Sequence, residues 1–148
     1  MRALHLYSAS LLWVATFGVF AQDTSLHMAV VEGNRDSVQV QLANGAEINA
    51  KMPGGWTPVM VSVKYGHLDI LQDLLEARAD VNISDNKGNT ALMMAVMAKN
   101  VEATRLLLAN RADVNIRNNE GMTALEVASL IDAVEITTLI NNYLAQKG

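Results

Sequence analysis

The residues that could do chemistry here are soft and basic donors. The chain has eight methionines and three histidines, and Met60, Met93, Met94 and Met97 crowd two short stretches, with Met28 beside His27. Thioether sulfur is a soft ligand for Cu(I), and on a helix Met93 and Met97 stand at i and i+4 on one face. A metal-handling protein with methionine and histidine ligands for copper is therefore one reading. Spacing argues against it, because His27, Met60 and Met93 are each 33 residues apart. One such residue per structural unit leaves neighbours about a helix diameter of ~10 Å from one another, a ladder that one ion cannot bridge. Methionine also fills cores and pliable interfaces. Packing or adaptable contact surface is the preferred reading, with no metal site and no cofactor expected.

Catalysis finds less support still. Cysteine is absent, which removes disulfides, thiolate nucleophiles and cysteine metal sites together. Beyond the N-terminal segment the histidines are His27 and His67, at different places in different units, and the acids are spread along helix faces and loops. Nucleophilic catalysis requires a nucleophile paired with a base. The chain is expected not to be an enzyme.

The elements that must position these residues recur along the chain. Thr24, Thr57, Thr90 and Thr123 fall at a constant interval of 33, as do Ala46, Ala79 and Ala112, and Asn49, Asn82 and Asn115. A period of this length signals a solenoid. In the clearest copy Thr57 can cap a helix through its hydroxyl, with Pro58 at the first helical position, where its missing N–H costs nothing. That spacing predicts a short helix over 58–65. Gly66 and His67 break it, and Leu68, Ile70, Leu71, Leu74 and Leu75 then recur at helical spacing. Neither helix reaches the ~12–15 residues at which an isolated helix becomes marginal in water, so stacking of hairpin on hairpin is obligatory. The run from Asp85 to Asn89 is rich in turn formers and predicts a projecting finger between hairpins.

These residues resemble the ankyrin-repeat family, whose units carry a G-x-TPLH-x-A-A motif, a G-H turn and an LL-x-x-GADVN ending. The matching residues are Gly55, Thr57, Pro58, Gly66, His67, Leu74, Leu75 and 79–82, and again Gly88, Thr90, Leu92, Ala95, Leu107, Leu108 and 112–115. The resemblance implies an all-α ankyrin-repeat solenoid of four helix-turn-helix repeats with projecting β-turn fingers, at about 22–51, 52–84, 85–117 and 118–148. The first copy lacks its finger. Gln41 in that copy, and Thr137, Asn141 and Asn142 in the last, supply the polar outer faces that end repeats need. The resemblance also implies a left-handed backbone at Gly66 and Gly45, whose places elsewhere are taken by Lys99 and Asp132, and by Arg78 and Arg111. Asn100, beside Lys99, is expected to take up part of that turn.

The family's histidines at these places hydrogen-bond within the turn or loop, which is the role implied for His27 and His67. Its partner-gripping concave surface maps onto Trp56, Lys64, Tyr65, Asn86, Lys87, Asn89, Met97 and Met122, together with Pro53, Gly54, Ala98, Asn119 and Glu120. Large aromatics commonly anchor protein interfaces, which favours Trp56 and Tyr65. The alternative for Trp56 is a staple of its own loop.

Residues 1–21 stand outside the repeats. Arg2 supplies a positive end, residues 11–20 form an apolar run, and Val19, Phe20 and Ala21 place small or β-branched residues at a cleavage site. The pattern predicts a secretory signal peptide. A membrane anchor wants roughly 20 apolar residues, and His5, Tyr7, Ser8 and Ser10 interrupt that length. Cleavage after Ala21 leaves residues 22–148, one domain's worth of chain, with no membrane insertion. Only Arg2 is lost among the formal charges, so the net charge moves from −4 to −5, and phosphate binding needs a basic footprint. No nucleic-acid partner is expected. The expectation is a small exported bacterial protein, monomeric and periplasmic, with secretion beyond the cell as the alternative destination, that binds a protein partner through its finger and first-helix face.

Overall fold

The structure, a computed structural model, describes residues 25–148; the segment read as a secretory signal lies outside the described residues. Helical residues 25–31 form α1, followed by α2 (Arg35–Ala43), α3 (Pro58–Tyr65), α4 (Leu68–Glu76), α5 (Ala91–Met97), α6 (Val101–Ala109), α7 (Ala124–Leu130) and α8 (Val134–Lys147). Among the described residues no helix is long and apolar enough to cross a membrane. Odd-numbered helices are the first, and even-numbered the second, of successive hairpins. The contacts run α3 to α5 to α7 in one layer and α2 to α4 to α6 to α8 in the other, with α3 packed on α4, α5 on α6 and α7 on α8 within their hairpins. The result is a solenoid of two helical layers.

The first helices α3, α5 and α7 start for the same reason. The hydroxyls of Thr57, Thr90 and Thr123 accept hydrogen bonds from the N–H groups of Met60 (3.4 Å), Met93 (3.4 Å) and Glu126 (3.3 Å), satisfying one of the orphan donors at each helix start. Thr123 adds the reciprocal bond, its own N–H donating to Glu126 Oε2 at 2.7 Å. That N–H, with Arg117 behind it, holds the Glu126 carboxyl below the usual carboxylate range.

Position in the stack decides how much of each helix is apolar. The interior first helices are buried almost all round: Pro58 to Val63 without a gap in α3, and Ala91 to Val96 in α5. A helix walled in by neighbours on every side has no polar face to offer water. The second helices bury one stripe only, Ile70, Leu71, Leu74 and Leu75 in α4 and Ala103, Thr104, Leu107 and Leu108 in α6. At the ends burial falls to Val38 in α2 and to Ile136 and Ile140 in α8. Asn141 and Asn142 are exposed.

Polar links cross between neighbours as well. Asn49 Oδ1 accepts from the N–H of Asp80 at 2.9 Å, and Asn82 Oδ1 accepts from Asp113 N–H at 2.8 Å. Between α2 and α4, Arg35 donates from Nε and Nη2 to the two carboxylate oxygens of Asp73, both at 2.7 Å, and Gln39 adds a bond at 3.2 Å. The bidentate guanidinium holds the Asp73 carboxyl below its ordinary range.

The hairpin turns are left-handed at every copy, glycine or not. Gly33 and Gly66 have φ of 66° and 74°, while Lys99 and Asp132 take 51° and 57° at the same place. After the second helices Gly45 is at 80° and Arg78 and Arg111 at 64° and 63°. Lys99 itself makes the turn, contrary to the expectation for Asn100. That residue has an extended backbone, and its Oδ1 caps α6 by accepting from Ala103 N–H at 2.9 Å. A Cβ in the left-handed region is strained. Lys99→Gly is therefore expected to raise stability by about 0.5–1 kcal/mol, seen as a higher midpoint in chemical denaturation. A lower midpoint would show that Lys99 carries no strain.

Candidate functional site

Three finger turns, at 52–56, 85–89 and 118–122, project between the hairpins and share the same pair of backbone hydrogen bonds, while the second and third add a side-chain closure. Asp85 Oδ1 accepts from the N–H groups of Lys87 (2.9 Å) and Asn89 (2.8 Å), while Asp85 N–H donates to Asn89 O and Gly88 N–H to Asp85 O, both at 2.9 Å. Asn118 does the same for Glu120 and Met122, at 3.0 Å each. Met52, at the equivalent position of the first finger, has no side-chain oxygen, and there two consecutive glycines, Gly54 and Gly55, take positive φ. Among the described residues the only β-pairing is an isolated bridge between Ser84 and Thr90 at the base of the second finger.

The fingers are tied to one another. Asn86 N–H donates to Gly54 O at 2.9 Å, and 33 residues later Asn119 N–H donates to Lys87 O at 3.0 Å. Asn119 Nδ2 reaches Asn86 O, and Asn118 Nδ2 reaches Asn89 Oδ1, both at 3.1 Å. This approach is close enough to exclude a side chain: a Cβ on Gly88 would stand 2.7 Å from Asn119 Oδ1 and 2.8 Å from Asn119 N, and one on Gly55 would stand 2.6 Å from Asn86 Oδ1.

Between the first two fingers and the C-terminal ends of α3 and α5 lies a groove of about 470 Å³. Gly54, Trp56, Asp85, Asn86, Lys87 and Asn89 face it from the fingers, and Lys64, Met94, Met97 and Ala98 from the helices. Eight of the expected residues thus meet around one opening: Gly54, Trp56, Lys64, Asn86, Lys87, Asn89, Met97 and Ala98. Tyr65 and Met122 do not join them, nor do Pro53, Asn119 and Glu120. Tyr65 is 54% exposed, with its ring stacked on His67 at 6.2 Å, and Met122 packs half-buried against the core in the third finger. Asp85 and Met94 were not expected. Asp85 reads as a turn former and Met94 as core, yet Met94 lies one helical turn before Ala98 and so shares its face.

Trp56 is half-buried against the core and still faces the groove. It combines the roles of staple and surface. The methionine and histidine ladder lies inside the protein: His27, Met60 and Met93 are all buried. Met93 is 1% exposed and Met97 47%, so the two sulfurs four residues apart face different surroundings. His67 Nε2 lies 3.4 Å from the carbonyl oxygen of Val31, joining its hairpin to the preceding one. Among the described residues no three His, Asp or Glu side chains gather in a way that would hold a metal.

In comparison with known proteins, a family model described as ankyrin repeats (3 copies) matches residues 26–118 and, in a second overlapping placement, 60–146. No curated protein matches the chain.

Finger stacking shapes the groove, so it is testable through its closest approach. Gly88→Ala adds a Cβ at a φ of 77° and against the backbone of Asn119, and is expected to cost about 1–3 kcal/mol. Amide hydrogen exchange should show the loss first at Asn119 and its finger. Unchanged protection there would mean that the fingers are not coupled.

Proposed function

Because the chain belongs to the ankyrin-repeat family, whose repeats generally mediate protein–protein contacts, we propose that it is a non-enzymatic binding protein that grips a protein partner in the groove between its first two fingers. The observation that carries this reading is the gathering of Trp56, Met97 and five polar side chains around one opening of about 470 Å³. Hot spots of protein interfaces cluster where large aromatic side chains meet a rim of polar groups. Trp56 is the aromatic anchor, and Met94 and Met97 supply pliable apolar surface. The interior first helices are locked by burial on all sides, so the groove is presented without rearrangement and little ordering free energy is lost on binding.

Residues 1–21 supply the address. Their positive end, apolar run and small-residue site support export through a cleaved signal, and the chain works as a monomer in the periplasm or, past it, outside the cell. Net negative charge supports a protein rather than a nucleic-acid partner. The copper reading gains nothing from the placement of Met60 and Met93 in the core.

Two measurements check the proposal. Mass spectrometry of the protein from its native host should find Gln22 at the N-terminus, and intact residues 1–21 on a cytosolic species would sink the export reading. A pull-down from the envelope fraction should lose its partner on Trp56→Ala, which removes about 2 kcal/mol or more of binding. Leu74→Ala, at a fully buried position, should cost about 2–5 kcal/mol of stability and weaken capture only as far as it unfolds the array. If Trp56→Ala retains the partner while its thermal midpoint falls as far as that of Leu74→Ala, Trp56 is a staple and the binding face lies elsewhere.

A further inference from the structure

The groove has a charge pattern that the scaffold does not require. Lys64 and Lys87 face it from opposite walls, one from the last turn of α3 and one from the second finger. Neither belongs to an ion pair: the three pairs among the described residues join Arg35 to Asp73, Arg105 to Glu102 and Arg117 to Glu126. A lysine in the last turn of a helix is favoured by the helix dipole, which accounts for Lys64 but not for Lys87 in its finger. Nor are these repeat positions. Thirty-three residues on stand Met97 and Glu120, and thirty-three back stand Val31 and Gly54, so the two lysines coincide in this groove alone.

The polar groups beside them point the same way. Among the described residues, no hydrogen bond engages the side-chain amide of Asn86 or the Nδ2 of Asn89, leaving N–H donors on the finger wall. The one carboxylate of the groove, Asp85, is turned inward through Oδ1 to the backbone N–H groups of Lys87 and Asn89. Two ammonium groups and free amide donors thus share the groove with the apolar side chains of Trp56, Met94 and Met97, on a chain whose net charge is −4. Such local reversal of sign steers and selects a partner of opposite charge.

From this complementarity we infer that the groove takes an acidic linear segment of its partner, one that carries a large apolar side chain between carboxylates. The apolar side chain sits on Trp56 and Met97, and the flanking carboxylates accept from Lys64 and Lys87. This rests on the groove being the partner-binding face. The chain's own residues 1–24 do not meet the requirement, since Asp23 is their only acid.

Fluorescence anisotropy of the full chain with a labelled peptide, acetyl-Asp-Glu-Leu-Phe-Glu-Asp-amide, tests the inference. The same peptide with Lys and Arg in place of the acids, and the labelled segment 1–24, serve as competing probes. Binding of the acidic peptide should weaken with salt, fall about tenfold or more in Lys64→Gln/Lys87→Gln, return in Lys64→Arg/Lys87→Arg, and be lost in Trp56→Ala. Circular dichroism confirms that each variant is folded. Equal or better binding of the basic peptide or of the 1–24 segment overturns the inference while leaving the groove as binding face, as does acidic binding lost in Trp56→Ala but indifferent to the lysines. Acidic binding that ignores both Trp56 and the lysines overturns the groove reading too. Absence of binding by any probe overturns the inference, as does a dimer that Lys64→Gln/Lys87→Gln dissolves.

Discussion

The structure depends on the packing of each hairpin against the next. Helices of seven to nine residues make up α2 to α7, below the length at which a helix holds its own shape in water. Their stability comes from the apolar surface that neighbours bury. The interior helices α3 and α5 carry nothing polar between Val59 and Val63, or between Ala91 and Val96, except Ser62. Ser62 returns its hydroxyl proton to the Val59 carbonyl at 2.7 Å. A chain built in this way either stacks or does not fold.

Stacking of the helices brings the fingers within hydrogen-bonding distance of one another, and from there the groove follows. The second and third fingers are each closed internally by one side-chain oxygen, of Asp85 and of Asn118, and each is joined to the preceding finger by an asparagine N–H. Glycine at 55 and 88 is required by that approach as much as by its positive φ. The walls of the groove are therefore fixed by the same contacts that hold the array. Among the side chains facing the opening, Trp56, Lys64 and Lys87 depart from any repeat pattern.

Most of the architecture was legible because it is periodic. The interval of 33, the threonine caps and the helix over 58–65 all followed from residue spacing, and the left-handed turns at Lys99, Asp132, Arg78 and Arg111 followed from the resemblance, which implies that backbone at the glycines with which they align. What repeats sends its signal several times over. Asn49 and Asn82 were visible only as rulers, because the bond each makes to an N–H 31 residues away belongs to the stacked state. Asn100 was misread, since an asparagine beside a turn can enter the left-handed region or cap the next helix, and only the backbone decides. The groove was harder. Position within a unit gathered eight of the residues that line the groove but admitted Tyr65, whose ring instead turns onto His67, and Met122, which belongs to the next finger. Asp85 and Met94 were hidden behind structural roles that they also fulfil.

The central claim is that the face formed by the fingers and the ends of the first helices meets the partner, while the second helices serve only to hold it. Photo-cross-linking in living cells tests this directly, with a benzoylphenylalanine placed at Met97 in the groove or at Arg105, exposed on α6. The account predicts a discrete protein adduct from position 97 and none from position 105. An adduct from position 105 with none from position 97 would contradict it, moving the binding face to the opposite layer.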